Sequence, residues 1–258
     1  MNSINIKGIC IGSGCPKICV PFMGATIEDY ESNADELHSS SANAFVDIVE
    51  IRADYFKSLN NMNELNTLMK KMNETLADKV ILFTIRSESE GGQKLDFGTP
   101  PIKDIISYVI ENKLADIVDV ELNQGDKVFE YLTELAKKND VKIVASYHNF
   151  HETPSNGEIR NKLIKMQNCG ADIAKIAVMP NNIHDVFTLM DAAATVKESG
   201  KTPIIAISMG GRGALSRVAG ELYGSDVTFA SMGESSAPGQ LPVTQLKNIM
   251  NSLTAVIP

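Results

Sequence analysis

ADIAKIAVMP, residues 171–180, sets a lysine inside a run that is otherwise apolar. Ile173, Ala174, Ile176, Ala177 and Val178 give it the composition and length of a buried strand, and Pro180 closes it. Lys175 has no obvious route to water from the middle of such a strand. A buried ammonium is costly unless it is paired or loses its proton. The fold follows from how often such runs recur, and the function from what the lysine is for.

The run DIAKIAVM (172–179) has seven companions: KICVPFM (17–23), FVDIVEIR (45–52), KVILFTIR (79–86), DIVDVEL (116–122), VKIVASYH (141–148), TPIIAISM (202–209) and DVTFAS (226–231). Amphipathic segments separate them. Residues 62–76 repeat Leu65, Leu68, Met69, Met72 and Leu76 at a spacing of three or four, the stripe of a half-buried helix. Residues 126–139 begin with Asp126, read as an N-cap, and end in lysines as the helix dipole prefers. Residues 181–200 end at Gly200, a C-terminal stop. Similar segments fall near 31–43, 101–113, 156–169, 213–223 and 241–250. Eight strands, each followed by a helix, predict a (β/α)8 TIM barrel, an α/β fold built as a single domain over 1–258. A doubly wound open sheet is the alternative. Residues 1–16 precede the first strand and are expected to cover the bottom of the barrel.

The chain has 258 residues, is 43% hydrophobic and carries a formal net charge of -8, with a pI near 5.1. Such an acidic balance argues against nucleic acid and anionic membranes as main partners. No apolar run reaches the roughly 18 residues of a spanning helix. The first 20 residues lack a basic region followed by an apolar stretch, so a cytoplasmic location is expected. Cys10, Cys15, Cys19 and Cys169 have no companion histidine cluster and read as free thiols, several of them buried; no metal site is expected.

In a barrel of this kind, chemistry belongs at the C-terminal ends of the strands. Glu50 and Arg52 share a face near the end of the second run, and Arg86 ends the third. Asp119 and Glu121 share a face on the fourth, His148 ends the fifth, and Lys175 lies on the sixth. Each has a plain structural reading: a rim ion pair, a hydrogen-bonded core histidine, a lysine that snorkels to water. Together, as an inward-facing set, they would be intolerable in a purely structural core. A lysine in an apolar setting or near other cations has a lowered pKa, and its neutral amine can attack a ketone to form a Schiff base. The iminium draws electrons and makes the adjacent C–H more acidic. His148 on the neighbouring strand has the acid–base range to move that proton, and the arginines offer forked donors for a carboxylate or phosphate.

These pieces resemble a known family, type I 3-dehydroquinate dehydratase, over about residues 17–240. The motifs are VEIRADYF (49–56), FTIRSESEGG (83–92), VDVELNQGD (118–126), ASYHNFHETP (145–154), ADIAKIAVMP (171–180), ISMGGRGALSRVAGELYGS (207–225) and ASMGESSAPGQL (230–241). The resemblance implies a lyase of the shikimate pathway that dehydrates 3-dehydroquinate without cofactor or metal, as a homodimer. It casts Lys175 as the Schiff-base lysine, His148 as the general acid/base and Glu90 as the glutamate that orients the histidine. It makes Arg217 the carboxylate binder and puts Glu50, Arg52 and Arg86 around the ring hydroxyls. Ser236 and Gln240 fall on a lid loop, 231–241, that closes over the ligand. Asn149 stands where the family pattern has aspartate, Pro21 where some relatives have serine, and Gly210-Gly211 where bulkier residues are common. None of these removes a main catalytic group. The runner-up is another Schiff-base barrel, such as an aldolase acting on sugar phosphates; a third reading is a binding barrel that retains the pocket.

Overall fold

The computed structural model describes residues 3–95, 98–232 and 238–256. Its first element is a hairpin of β1 (Ile4–Ile6) and β2 (Ile9–Ile11). The barrel strands follow: β3 (Lys17–Phe22), β4 (Ile48–Arg52), β5 (Val80–Thr84), β6 (Ile117–Glu121), β7 (Lys142–Asn149), β8 (Ile173–Val178), β9 (Ile204–Ser208) and β10 (Val227–Ser231). From β3 to β9 each strand pairs in parallel with its sequence neighbours, β10 pairs in parallel with β3, and a two-residue β11 (Leu241–Pro242) adds to the other edge of β10. Helices α1 (Ile27–Ser39), α2 (Met62–Thr75), α3 (Ile102–Glu111), α4 (Asp126–Asn139), α5 (Asn156–Asn168), α6 (Ile183–Glu198), α7 (Ala214–Val218), α8 (Gly220–Tyr223) and α9 (Val243–Thr254) return the chain between and after the strands. The structure is the expected α/β TIM barrel.

Strand alternation sorts the barrel into two cores. Val49, Ile81, Val118, Ile143, Ala174 and Ile176 face outward and pack beneath the helices. Ile48, Val80, Leu82, Ile117, Val144, Ile173, Ile205 and Val227 point inward at the lower end, where Ile4, Ile6 and Ile9 of the hairpin cover them. Apolar side chains thus fill the lower interior, and the polar groups gather above them.

Four aspartates set the strand register. Asp47, Asp116, Asp172 and Asp226 stand immediately before β4, β6, β8 and β10. Each grips an isoleucine of the preceding strand at both backbone groups. Asp47 accepts from Ile18 N (2.8 Å) and donates its own N–H to Ile18 O (2.9 Å). The same double contact joins Asp116 to Ile81, Asp172 to Ile143 and Asp226 to Ile204. Between β9 and β10 these bonds close the barrel, supported by Ala206 N donating to Ser225 Oγ (3.1 Å) and Tyr223 OH donating to Ala206 O (2.6 Å).

Several boundaries differ from the sequence reading. The first helix begins at Ile27, not near 31, because Thr26 and Asp29 form a capping box that starts it early. Asp126 is the first residue within α4, and the N-cap is Gly125. The segment 213–223 splits into α7 and α8, and the last helix starts at Val243 because Leu241 and Pro242 are taken into β11. Gly200 follows the C-cap Ser199 with a left-handed φ of 66°, as a glycine stop requires. Of the cysteines only Cys19 is buried; Cys10, Cys15 and Cys169 are half-buried and all four are free. Among the described residues no helix is long and apolar enough to cross a membrane.

Candidate active site

Three residues beyond each register aspartate, an inward side chain sits at the same height: Glu50, Asp119, Lys175 and Phe229. Alternate strands of a parallel barrel contribute one layer in this way. Lys175 Nζ lies 3.6 Å from Glu50 Oε1, 3.6 Å from Asp119 Oδ2, and 4.5 Å from the centre of the Phe229 ring. The apolar setting expected for this lysine is therefore corrected. Ala174 and Ile176 point to the helices, while Lys175 points inward between two carboxylates and an aromatic face. Its burial is paired, which removes most of the cost of hiding an ammonium.

Arg86, two residues past the end of β5, binds the layer together. NH2 donates to Asp119 Oδ2 (2.7 Å), and NH1 donates to Glu121 Oε1 (2.9 Å) and Ser146 Oγ (2.9 Å). Ser146 in turn donates to Asp119 Oδ1 (2.5 Å). Burial pushes the Asp119 carboxyl up, but Arg86 and Lys175 outweigh it and hold the group below the ordinary carboxylate range. Glu50 accepts from Thr84 Oγ1 at 2.9 Å. These bonds occupy three of the five side-chain N–H donors of Arg86.

Above the layer stands His148, near the end of β7. Glu90 Oε2 meets its Nδ1 at 2.9 Å and accepts its backbone N–H at 3.0 Å. Burial first, then the Arg86, Lys175 and Arg52 charges, hold the imidazole well below its ordinary range. Burial, with the Glu121 charge, pushes Glu90 up to about 8 despite Arg86. The contact is thus a shared hydrogen bond at neutral pH, and an ion pair is not its resting form. When Glu90 is ionised it accepts Nδ1–H and leaves Nε2 as a base; when protonated it can donate to Nδ1 instead.

The turn that delivers Glu90 needs its two glycines. Gly91 has φ 85°, and a Cβ there would lie 2.4 Å from the Phe150 ring; a Cβ on Gly92 would lie 1.9 Å from Arg86 O. The motif SESEGG therefore reads as a folding requirement as well as a loop.

Arg217, on α7, is 2% exposed. NH2 donates to Pro238 O (3.0 Å), NH1 donates to Phe229 O (3.4 Å), and Nε has no partner. No carboxylate pairs with it among the described residues, and burial lowers its pKa to about 10. A buried fork without an anion is a site prepared for one.

Glu50, Arg52, Arg86, Glu90, His148, Lys175, Arg217 and Gln240 all line one cavity. Its other wall is apolar: Ala177, Ile207, Met209 and Phe229. The cavity therefore suits a small ligand with a carboxylate, hydroxyls and an apolar side. Of the loop expected to be a lid, Ser236 and the rest of 233–237 lie outside the described residues. At the ends of that loop Ala230 pairs with Leu241, and Gly210 N donates to Pro238 O at 2.9 Å. Asp119, Glu121 and Ser146 complete the charge network; the sequence places Asp119 and Glu121 in the inward-facing set without giving either a role, and it carries no signal for Ser146. Among the described residues no His, Cys, Asp and Glu group of three or more has metal-holding geometry.

Comparison with known proteins adds ancestry to this geometry. The family described as Type I 3-dehydroquinase matches residues 18–256. A 3-dehydroquinate dehydratase of Clostridium novyi (strain NT) is 39% identical over 259 residues, covering 100% of both chains. One from Alkaliphilus oremlandii (strain OhILAs) is 42% identical, covering 96% of this chain and 95% of its own. Among solved structures, a type I 3-dehydroquinate dehydratase from Clostridium difficile, with covalently modified comenic acid, superposes with a TM-score of 0.93 at 38% identity, covering 99% of each chain.

Proposed function

The chain belongs to the type I 3-dehydroquinase family, and from that premise we propose that it dehydrates 3-dehydroquinate to 3-dehydroshikimate through an imine on Lys175. The Lys175 ammonium gives up a proton, the amine so formed attacks the C3 ketone, and the released proton, with one amine hydrogen, leaves with the ketone oxygen as water, giving a protonated imine. His148 takes a proton from C2 through Nε2, and the electrons move into the imine to form an enamine. Their return expels the C1 hydroxyl, which the protonated His148 supplies with a proton. Water then releases the product and restores the lysine. The iminium is the electron sink, so the scheme calls on no metal or cofactor.

The observation that carries this reading is the placement of three groups around one cavity: Lys175 in the central layer, the His148–Glu90 pair above it, and the unpaired cation Arg217 on the wall. Arg217 binds the substrate carboxylate, Glu50 and Arg52 meet the ring hydroxyls, and Arg86 sets the charge around them. Gln240, and Ser236 on the lid, close over the ring. The same layer explains why Lys175 is tolerated: Glu50 and Asp119 stabilise the cation in the resting site and the iminium that replaces it. An aldolase acting on sugar phosphates draws less support. In the glycine-rich turn after β9, the amides of Gly210 and Gly213 already donate to Pro238 O and Gly210 O, where a phosphate would want them. Assembly as a homodimer in the cytoplasm completes the proposal, and sedimentation reports the assembly directly.

Borohydride reduction in the presence of 3-dehydroquinate is the test. The protein is expected to gain the mass of a reduced adduct, mapped to Lys175, while untreated enzyme produces a conjugated enone. An adduct on another lysine, or turnover with no adduct, refutes the imine scheme.

A further inference from the structure

Arg52 reaches the cavity from the end of β4, yet its guanidinium is held by a residue that does not line that cavity. Asp54 has a fully buried side chain. It takes the fork side-on: Arg52 Nε donates to Oδ1 at 2.9 Å and NH2 donates to Oδ2 at 2.8 Å. The same two oxygens accept the backbone N–H groups of Arg86 (3.4 Å) and Gln93 (3.1 Å), which flank the turn carrying Glu90. At the other end of Arg52, the buried Tyr30 hydroxyl donates to its backbone carbonyl at 2.7 Å. Tyr55 lies under the guanidinium, 5.1 Å from ring centre to Cζ.

We infer that Asp54 is a positioning residue for Arg52: by occupying the Nε–NH2 edge it fixes the rotamer and turns the NH1 end toward the ligand. A lone arginine beside a substrate carboxylate or diol would engage it with the two-donor edge. Here that edge is used internally, so Arg52 can offer the ligand only its remaining donors, at one angle. This distinguishes Arg52 from Arg217, whose fork has no anion. Of the three arginines of the cavity, Arg86 is bound to Asp119 and Glu121, and the other two have separate duties: Arg217 meets an anion, and Arg52, neutralised by Asp54, discriminates hydroxyl geometry. Binding the substrate's single carboxylate at the wrong arginine is disfavoured, because Arg52 already has its counter-ion. The inference rests on the reading of this cavity as the dehydroquinate site.

A double-mutant cycle on the full chain tests it. The variants are Asp54→Asn, Arg52→Met and the pair together, each assayed for enone formation and melting temperature. Asp54→Asn is expected to raise KM by about tenfold with kcat changed much less, the pattern of lost ground-state binding. The double variant is expected to match Arg52→Met in KM within about twofold, since Asp54 acts through Arg52. It is also expected to melt above Asp54→Asn, because the single change leaves a buried guanidinium without its partner. If Asp54→Asn fails to fold, a folded double variant with the Arg52→Met KM supports the coupling at the level of stability. KM effects that multiply in the double variant overturn the inference, as does a wild-type KM in Asp54→Asn. If Arg52→Met alone keeps the wild-type KM, what fails is the placement of Arg52 at the ligand, and wild-type turnover tests the dehydration reading separately.

Discussion

Arg217→Met exchanges a buried cation for an apolar side chain of similar length, and the two halves of its effect have opposite signs. Before a ligand binds, burial draws the guanidinium from its ordinary range down to about 10. That gap of about 2.5 pH units, at about 1.4 kcal/mol each, corresponds to a folding penalty of about 3 kcal/mol. The penalty is full at neutral pH, where both folded and unfolded chains carry the charge, and fades as pH rises above about 10. Methionine removes it but loses the hydrogen bonds to Phe229 O and Pro238 O, worth about 1 kcal/mol each. The remainder, about 1 kcal/mol, raises the melting temperature of the empty protein by about 2–4 °C. Binding moves the other way. A forked contact to a carboxylate contributes about 3 kcal/mol or more, so KM should rise about a hundredfold, with kcat less affected because the carboxylate is held in ground and transition states alike. Thermal melts with and without product, and initial rates of enone formation, measure both. A variant that melts lower than wild type when empty, or one whose KM is unchanged, refutes the argument that Arg217 is an uncompensated cation waiting for an anion.

Other outcomes follow from the same geometry. His148→Ala should still be trapped by borohydride on Lys175, while enone production falls by at least about a hundredfold; near-normal turnover would move the proton transfer elsewhere. In wild type, kcat/KM should climb as pH rises through about 8, as Glu90 ionises and commits the histidine proton to Nδ1; Glu90→Gln should lack that inflection. Because the folded-state pKa of Glu90 is raised, its contribution to stability is present at low pH and is lost as pH rises toward 8. A pH series of melts on the same pair of proteins should show the loss only in wild type. Gly92→Ala should abolish activity by displacing the Glu90 turn, since its Cβ would lie 1.9 Å from Arg86 O; a fully active variant would show that the turn can shift without cost.

The strands were readable because each is a short Val/Ile run, and the inward position of Glu50, Arg52 and Lys175 follows from counting by twos. The surroundings of Lys175 are not legible from its sequence neighbours, because Ala174 and Ile176 belong to the opposite face. Its true neighbours come from β4, β6 and β10, as far as 125 residues away in sequence (175 minus 50). Asp54 carries no signal of its own in the sequence, since a carboxylate two residues after an arginine is an ordinary turn composition until the chain's 3-10 turn, Ala53–Tyr55, brings it back to the fork. The helix break between α7 and α8 had a visible cue in Gly220, where a Cβ would lie 2.7 Å from Ser225 O. The four register aspartates were present as VDIVEI, ADIVDV, ADIAKI and SDVTFA. Aligning those runs on their aspartates would have predicted a common layer for Glu50, Asp119, Lys175 and Phe229.

That alignment has a consequence for how such a chain can change its length. Each aspartate fixes the start of its strand by two bonds to a neighbour, and the chemistry sits three residues later. One residue inserted between Asp172 and Lys175 would carry the lysine through the strand's pleat and into the helix layer. A two-residue insertion would restore its face but lift it by about 7 Å, out of reach of Glu50 and Asp119. The same holds on β4, β6 and β10. Insertions and deletions are therefore excluded from these four intervals and tolerated in the loops that precede each aspartate, so natural variation in length should spare the spacing from clamp to catalytic layer while freely altering the helices around it.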